Sequence, residues 1–261
     1  MPRQPRSFRV EAIVLKHSDY GEADRFLSLY TRHRGKLRAI AKGVRKMRSR
    51  KAGHVEPFTR VSLQLATGRN LYIVTQAEAV DSYINLREDL MLVGYASYVV
   101  EILDKFTYEE EENSAVFRLV ARTLARLERG DEPELVVRYY EMRLLELLGF
   151  RPELHKCVVS EDVIKAEDQY FSAKLGGVVS PKHGKRLEGA VPVSMQALKY
   201  MRHFQRSSYK EATRAQVASK VQRELEALMQ HYVTYLLERS LNSPSFLRRV
   251  RRDASKTIDE A

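Results

Sequence analysis

Residues 60–76 read RVSLQLATGRNLYIVTQ. In the first half, Val61, Leu63 and Leu65 alternate with other side chains, and this period of two predicts a strand with one buried face. Residues 68–70 (GRN) are typical of a tight turn, and the apolar residues after them predict the returning strand of a hairpin. This part of the chain is therefore predicted to be β-structure.

Three further strand patterns precede the hairpin, at residues 8–16 (FRVEAIVLK), 25–32 (RFLSLYTR) and 36–42 (KLRAIAK). In the last of these, small apolar residues alternate with cations, so most of the positive charge falls on one face. Five short strands within about 75 residues predict a small closed β-barrel. An SH3-like barrel would show the same pattern, so the strands alone leave the topology open.

The remainder of the chain has helical periodicity, interrupted once. Apolar residues recur at helical spacing in residues 90–105, 115–129, 134–148, 194–205 and 214–241. The intervening residues contain several Gly and Pro and predict a loop-rich insert. We therefore predict an α+β protein with a five-stranded barrel domain at residues 1–80. A helical domain at residues 81–261 follows, with the insert at residues 151–192.

The positive charge of the chain is concentrated near its beginning. The 261 residues carry a net charge of +11; residues 1–60 hold 16 Lys/Arg and 5 Asp/Glu, whereas residues 61–261 hold 29 of each. A generally basic, solubilising surface would spread this excess over the chain. The asymmetry instead indicates that the barrel meets a polyanion.

Residues 32–51 (RHRGKLRAIAKGVRKMRSRK) contain ten Lys/Arg and no acid. Like charges this close repel one another unless an anion separates them, and nucleic-acid phosphates do so with release of counterions. The planar fork of arginine, the more frequent cation here, suits phosphate oxygens. We expect the following residues to bind nucleic-acid phosphates: Arg32, Arg34, Lys36, Arg38, Lys42, Arg45, Lys46, Arg48, Arg50 and Lys51.

Aromatic side chains of the barrel could provide platforms on which bases stack. The candidates are Tyr20, Tyr30, Phe58 and Tyr72. Each could instead pack in the core, and we favour core packing for Phe58.

Compartment and enzyme class follow from what the sequence lacks. Cys157 is the single cysteine, and no run of eighteen apolar residues or apolar signal core is present. We therefore expect a cytoplasmic protein with no membrane partner. No nucleotide-binding loop, HExxH or GxSxG motif occurs, so we expect no enzyme activity. A metal-dependent nuclease using Asp19, Glu22 and Asp24, and an RNA-binding barrel protein, remain alternatives.

Two segments resemble the RecO family of bacterial DNA repair and recombination mediators. They are residues 11–46 (EAIVLKHSDYGEADRFLSLYTRHRGKLRAIAKGVRK) and residues 231–247 (HYVTYLLERSLNSPSFL). The order of barrel, helices, insert and helices also matches. The resemblance implies an OB-fold barrel, binding of single- and double-stranded DNA, and annealing of complementary strands. It further implies RecA loading together with RecR in the RecF pathway, at the nucleoid.

The insert departs from the pattern of this family. Many members carry a four-cysteine zinc module here, as two CxxC pairs around a Gly-Gly turn. The four ligand positions in this chain are Cys157, Ser160, Ser180 and His183. Serine is a poor zinc ligand, and adding His155 would still leave the site one ligand short. We therefore expect no metal and no cofactor, and an insert held together by its own apolar residues.

Members of the family can also bind the acidic tail of single-strand binding protein on the helical domain. Lys199, Arg202 and Arg206 lie beside Leu198 and Met201 on one predicted helix, as such a tail would require. An ordinary amphipathic helix with a solvated face would have the same pattern, and we favour it. For the acidic run at residues 109–112 (EEEE), a solvated loop is expected rather than a functional patch.

Overall fold

The computed structural model describes residues 6–259, with side chains described up to residue 254. The described residues form two compact units. The first comprises the described parts of Met1–Gly130 and Asn242–Ala261, and the second is Asp131–Leu241. The protein has the predicted α+β fold. The division predicted after residue 80 stays a prediction, because compactness does not test which residues form a functional domain.

The strands are β1 (Ser7–Tyr20), β2 (Asp24–Thr31), β3 (Gly35–Ala41), β4 (Arg60–Thr67), β5 (Tyr72–Asp81), β6 (Gln169–Ser172), β7 (Gly177–Val179) and β8 (Ala190–Val193). The helices are α1 (Ile84–Glu88), α2 (Leu90–Phe106), α3 (Ser114–Glu128), α4 (Pro133–Leu147), α5 (Pro181–Gly184), α6 (Met195–Arg206), α7 (Tyr209–Ala212), α8 (Ser219–Leu237) and α9 (Ser243–Asp259).

The first five strands close a barrel in the order β1-β2-β3-β5-β4, with β4 paired back onto β1. Strands β3 and β5 run parallel, and the other pairs are antiparallel. The predicted five-stranded, OB-like barrel is confirmed. Leu37, Ala39 and Ala41 all point into its core, as do the alternating residues of β4, and all are at most 2% exposed. Burying one such leucine stabilises the fold by about 2 kcal/mol.

Strand β1 is longer than the sequence pattern predicted. It continues to Tyr20 because Asp19 pairs with Arg25 and Tyr20 with Asp24 across the hairpin. The turn therefore begins at Gly21, whose positive φ of 55° suits glycine, rather than at residue 18.

Helix α9 packs on helix α2 within the first unit. Gly94 permits this approach, because a Cβ there would lie 2.5 Å from Cδ2 of Leu247. At the start of α9, the carboxylate of Glu101 accepts hydrogen bonds from the backbone N–H groups of Asn242 and Ser243, at 2.9 Å each. The first unit is therefore built from both ends of the described chain.

The second unit combines α4, α6 and α8 with a small sheet of order β7-β6-β8. This sheet lies in the insert, which is therefore more regular than predicted; its buried residues include Phe171 and Val178. The prediction of a single long helix at residues 214–241 was wrong. Helix α8 begins at Ser219 and ends at Leu237, where Glu238 adopts a left-handed conformation.

Candidate nucleic-acid interface

The basic run falls on two different structures, strand β3 and the loop of residues 42–59 that leads to β4. The loop is anchored at its base by hydrogen bonds. The backbone N–H of Arg45 donates to the carbonyl of Ala23 at 2.9 Å, and that of Gly43 donates to Oδ1 of Asp24 at 2.7 Å. Val44 and Val55 are buried in the barrel core. The loop therefore holds its cations on a fixed base.

Lys51 also holds the base of the loop in place through hydrogen bonds. Its Nζ donates to the carbonyl oxygen of Lys42 at 3.0 Å and to that of Val74 at 3.2 Å. The side chain thus ties the two limbs of the loop to each other and to β5. Its predicted phosphate contact stays a prediction, and the structure gives Lys51 a structural role as well.

Five of the six cations in the loop are exposed. Four of these, Lys42, Lys46, Arg48 and Arg50, are hereafter called the loop cations. Within residues 6–254, no ion pair joins any of them to a carboxylate. Arg45 differs from the loop cations in having an acidic partner, because its Nε lies 3.4 Å from Oδ2 of Asp19. The loop cations form a positive surface without an internal counter-charge, which favours anion binding.

The cations on or beside β3 have protein partners instead, and we call Arg32, Arg34, Lys36 and Arg38 the strand cations. Arg32 Nη1 lies 3.1 Å from Oε2 of Glu11, and Arg38 Nη1 lies 3.9 Å from Oε1 of Glu109. The Arg34 guanidinium stacks over the ring of Phe8, 4.1 Å from its centre. These contacts use the cationic groups that a phosphate would also require.

Lys36 is the most deeply engaged strand cation. Its Nζ lies 3.2 Å from Oδ1 of Asp104 on α2 and donates to the carbonyl of the same residue at 2.7 Å. Burial raises the pKa of the Asp104 carboxyl, but the hydrogen bond from Lys16 and the charge of Lys36 lower it below its usual value. Lys36 therefore ties the barrel to α2.

The acidic run at residues 109–112, hereafter the acidic segment, follows α2 and lies along β3. The backbone N–H of Glu110 donates to the carbonyl of Lys36 at 3.0 Å. The side chains of Glu109 and Glu112 are more than half exposed, as expected of a solvated loop. The contact with β3 was not foreseen, because it joins residues more than 70 positions apart. The only sequence signal for this contact was the opposite charge of the two runs, four acids at residues 109–112 and ten cations at residues 32–51.

Gly35 fixes the acidic segment close to the barrel. Its φ is +58°, and a Cβ at this position would lie 2.0 Å from the carbonyl oxygen of Glu111. Any side chain would therefore be strained and would also collide with the segment. At the end of the segment, the side chain of Asn113 accepts from the N–H of Val116 at 3.1 Å and caps α3.

Two regions of the chain match models of one protein family. Residues 6–83 match the model described as "Recombination protein O N terminal", and residues 87–245 match "Recombination protein O C terminal". The chain belongs to the RecO family. The expected resemblance is confirmed over almost the whole chain.

Curated relatives carry the name DNA repair protein RecO. The relative from Roseiflexus sp. (strain RS-1) is 38% identical over 94% of this chain and 87% of its own length. A relative from Dehalococcoides mccartyi (strain ATCC BAA-2266) is 34% identical over 90% and 93%. That from Pelotomaculum thermopropionicum is 36% identical over 93% and 94%. The chain is thus a RecO-family DNA repair protein.

Two of the predicted stacking aromatics are buried. Tyr30 is fully buried, which raises its pKa to about 12, and its hydroxyl donates to the carbonyl of Asn113 at 3.5 Å. Phe58 is only 6% exposed. The prediction that Tyr30 could stack on bases is therefore wrong, because the chain after α2 covers its side chain. Phe58 packs in the core, which was the favoured alternative. Tyr20, 52% exposed, and the half-buried Tyr72 remain candidates.

Two of the three acids considered for a nuclease site, Asp19 and Asp24, bind groups of the loop and of its neighbouring strand. Oδ1 of Asp19 accepts from Nε of Arg25 at 2.9 Å, and Asp24 binds the backbone of Gly43. Across the described residues, no three His, Cys, Asp or Glu side chains converge as metal ligands.

The remnant of the zinc module is compact but poor in ligands. The sulfur of Cys157 is buried and accepts from the backbone N–H of Ser180 at 3.3 Å, with Nδ1 of His183 at 3.9 Å. Burial raises the pKa of the Cys157 thiol, but hydrogen bonds to its sulfur lower it to about 5. With serine at two of the four positions, this donor set does not fit structural zinc.

The cations predicted to bind an acidic tail lie on α6. Lys199 and Arg206 are exposed, but Arg202 donates from Nε to the carbonyl of Leu154 at 2.7 Å. Leu198 and Met201 are 2% and 1% exposed, so these apolar side chains are not available to a partner. This favours the amphipathic-helix alternative, and tail binding here stays a prediction.

No helix within residues 6–259 is long and apolar enough to cross a bilayer.

Proposed function

We propose that this RecO-family protein binds single- and double-stranded DNA through the loop cations and anneals complementary strands. With RecR, it would help RecA to load on DNA covered by single-strand binding protein. It would act at the nucleoid in the cytoplasm and without catalytic activity. The observation that carries this proposal is the cluster of four exposed loop cations that lack an acidic partner within the described residues.

The energetics of the loop favour a polyanion as its ligand. Lysine and arginine side chains this close repel one another, and each phosphate between them removes repulsion while releasing condensed counterions. The anchored base means that less chain entropy is lost on binding than for a free loop. Phosphate contacts carry no base information, so we expect binding to depend little on sequence.

Strand annealing follows from the same charges. Two single strands repel each other through their phosphates, and a protein that neutralises both backbones lowers this barrier to pairing. Lys46 and Arg48 flank Met47 in the sequence, and the side chain of Met47 is fully exposed. Residues 42–55 of the loop contain no acid that would repel a second strand.

Salt-dependent binding of labelled single-stranded oligonucleotides tests the proposal. If the four loop cations each neutralise one phosphate, log affinity should fall with log salt with a slope of roughly −3, at about −0.7 per contact. Annealing of complementary strands should rise with occupancy, also when the strands carry single-strand binding protein and RecR is present. Binding that does not depend on salt would contradict the proposal.

The same assay separates the alternatives. Labelled DNA incubated with the protein and Mg²⁺ should remain intact, whereas cleavage would indicate a metal-dependent nuclease. Competition between DNA and RNA of equal length tests the second alternative. An RNA-binding barrel protein would be displaced from DNA by RNA at much lower concentration than by DNA itself.

A further inference from the structure

We infer that the acidic segment occupies part of the DNA-binding face of the barrel and weakens DNA binding by competing with phosphates for the strand cations. The inference rests on the proposed function, because it assumes that the barrel binds DNA. It concerns the negatively charged acidic segment, whereas the proposed function concerns the positively charged loop cations.

The carboxylates of the segment lie beside groups that could bind phosphate. Oε1 of Glu109 is 3.9 Å from Nη1 of Arg38, and Oε1 of Glu112 is 3.3 Å from Nδ1 of His33. The hydroxyl of Tyr72 donates to Oε1 of Glu110 at 3.4 Å. A carboxylate and a phosphate present similar oxygen acceptors to an arginine. The segment therefore takes the place of a nucleic-acid backbone at these groups.

The backbone of the segment is held firmly, whereas its side-chain contacts are weak. Gly35 packs against the carbonyl of Glu111, and Glu110 is hydrogen-bonded to β3. Arg38 and Glu109 are 65% and 58% exposed, and ion pairs that exposed contribute little. A phosphate can therefore displace the Glu109 carboxylate by a change of rotamer, without moving the backbone.

The loop cations and the strand cations therefore differ in how readily they can bind a phosphate. The loop cations are available at once, whereas Arg38 becomes available only when a carboxylate is displaced. The four negative charges remain beside β3 after displacement and repel the bound backbone. DNA held by the loop alone should thus bind more weakly than the number of cations on the barrel suggests.

The variant E109Q/E110Q/E112Q tests the inference, because glutamine keeps the shape of each side chain and removes its charge. The matched control is E161Q/D162N/E167Q, which changes three exposed acids of the second unit and alters the net charge equally. At about 0.1 M salt, the first variant should bind single-stranded DNA roughly tenfold more tightly than the control. Its salt slope should be steeper by about 0.7 to 1.4, for one or two additional phosphate contacts.

Arg38 should account for part of this gain. We expect R38A to have little effect on the affinity of the wild-type protein and a several-fold larger effect when combined with the three glutamines. The single variant E109Q, which alters only the contact with Arg38, should show a smaller gain of the same sign. Thermal melting reports whether each variant is folded, and E109Q provides the test if the triple variant is not.

Each outcome is decisive. Equal affinity and slope for E109Q/E110Q/E112Q and its control would overturn the inference while leaving the proposed function intact. Equal effects of R38A in both backgrounds would overturn it as well. Failure of the wild-type protein and of all variants to bind DNA would instead overturn the proposed function, and the inference with it.

Discussion

The loop cations and the strand cations belong to one run of twenty residues, but they differ in their surroundings. The strand cations lie where the barrel meets α2 and the acidic segment, and Lys36 and Arg32 are paired with Asp104 and Glu11. The loop cations are exposed, and within the described residues no carboxylate pairs with them. Sequence charge therefore overestimates how many cations are available to a ligand.

The difference arises from long-range contacts. A residue on β3 has its neighbours fixed by the barrel register and by the chain that follows α2, so acids distant in sequence can be placed beside it. A residue at the tip of a long loop has few such neighbours.

The variant K46A/R48A/R50A should have the largest effect. We expect the salt slope for single-stranded DNA to become flatter by about 2, since three contacts of about 0.7 each are lost. Affinity should fall on the order of a hundredfold at 0.1 M salt, because each lost charge-assisted contact costs about 1 kcal/mol. Fluorescence anisotropy across a salt series measures both quantities, and annealing should decline in parallel.

The variant K174A/K182A/K185A is the matched control, since it removes three exposed cations from the second unit. It should change the slope far less than the loop variant. If the two variants weaken binding equally, overall charge rather than the loop determines affinity. Melting temperatures should stay close to wild type for both, because exposed charges contribute little to stability.

Lys36→Met should show the opposite behaviour. Methionine keeps most of the apolar stem but leaves the carbonyl and part of the carboxylate of Asp104 without a donor. The protein should lose about 2 kcal/mol of stability, because a charge-assisted bond to a partly buried group is removed. Circular dichroism melting should detect this, with the salt slope unchanged. A flatter slope with unchanged stability would place Lys36 among the DNA contacts.

Lys51→Met tests the tie at the base of the loop. Two carbonyls, of Lys42 and Val74, lose their shared donor, which should cost about 1 kcal/mol. We expect faster tryptic cleavage within residues 42–59 and a several-fold loss of affinity, because the loop is less well ordered before binding. The salt slope should remain close to that of the wild type. A change of slope by a full contact would show that Lys51 binds phosphate directly.

Glu56→Gln tests the pH dependence of the loop base. Burial raises the pKa of Glu56, but hydrogen bonds from Arg25 and His17 lower it below its usual 4.5. A lowered pKa means that the ionised form stabilises the fold above about pH 4.5, and that this contribution is lost as the pH falls further. The variant should melt about 2–4 °C below wild type at pH 7, from a loss of about 1 kcal/mol. A difference that grows toward pH 3 would contradict this assignment.

Removal of divalent metal should have the smallest effect. With Ser160 and Ser180 at two ligand positions, purified protein should contain well below one zinc per chain. Chelator should leave the melting temperature and the DNA salt slope unchanged. Stoichiometric zinc in elemental analysis would show that the insert recruits ligands beyond Cys157 and His183.

The parts of the fold that were predictable have strong local patterns. The alternation in β3 and β4 identified their inward faces, and the helical spacing identified α2, α3, α4 and α6 to within a residue or two. The end of β1 at Tyr20, the break before Ser219 and the small sheet of the insert were missed. These depend on cross-strand pairing and packing, which a single stretch of sequence does not encode.

The candidate site shows the same limit. Of the ten predicted cations, two precede β3, two lie on it and six lie in the loop that follows. Their interaction with DNA remains a prediction. Tyr30 could not be recognised as buried, because the residues that cover it are more than 80 positions away. The contact of the acidic segment with β3 was hidden for the same reason.

The position of α9 also affects the order in which the protein can fold as it is synthesised. The barrel and α2 leave the ribosome early, but the helix that covers Gly94 follows only after the whole of the second unit. At about 5–20 residues per second, the delay is on the order of ten seconds. During this interval the surface of α2 that later contacts Leu247 is open to water and to other nascent chains. A cell that makes this protein must tolerate or shield that surface until translation reaches α9.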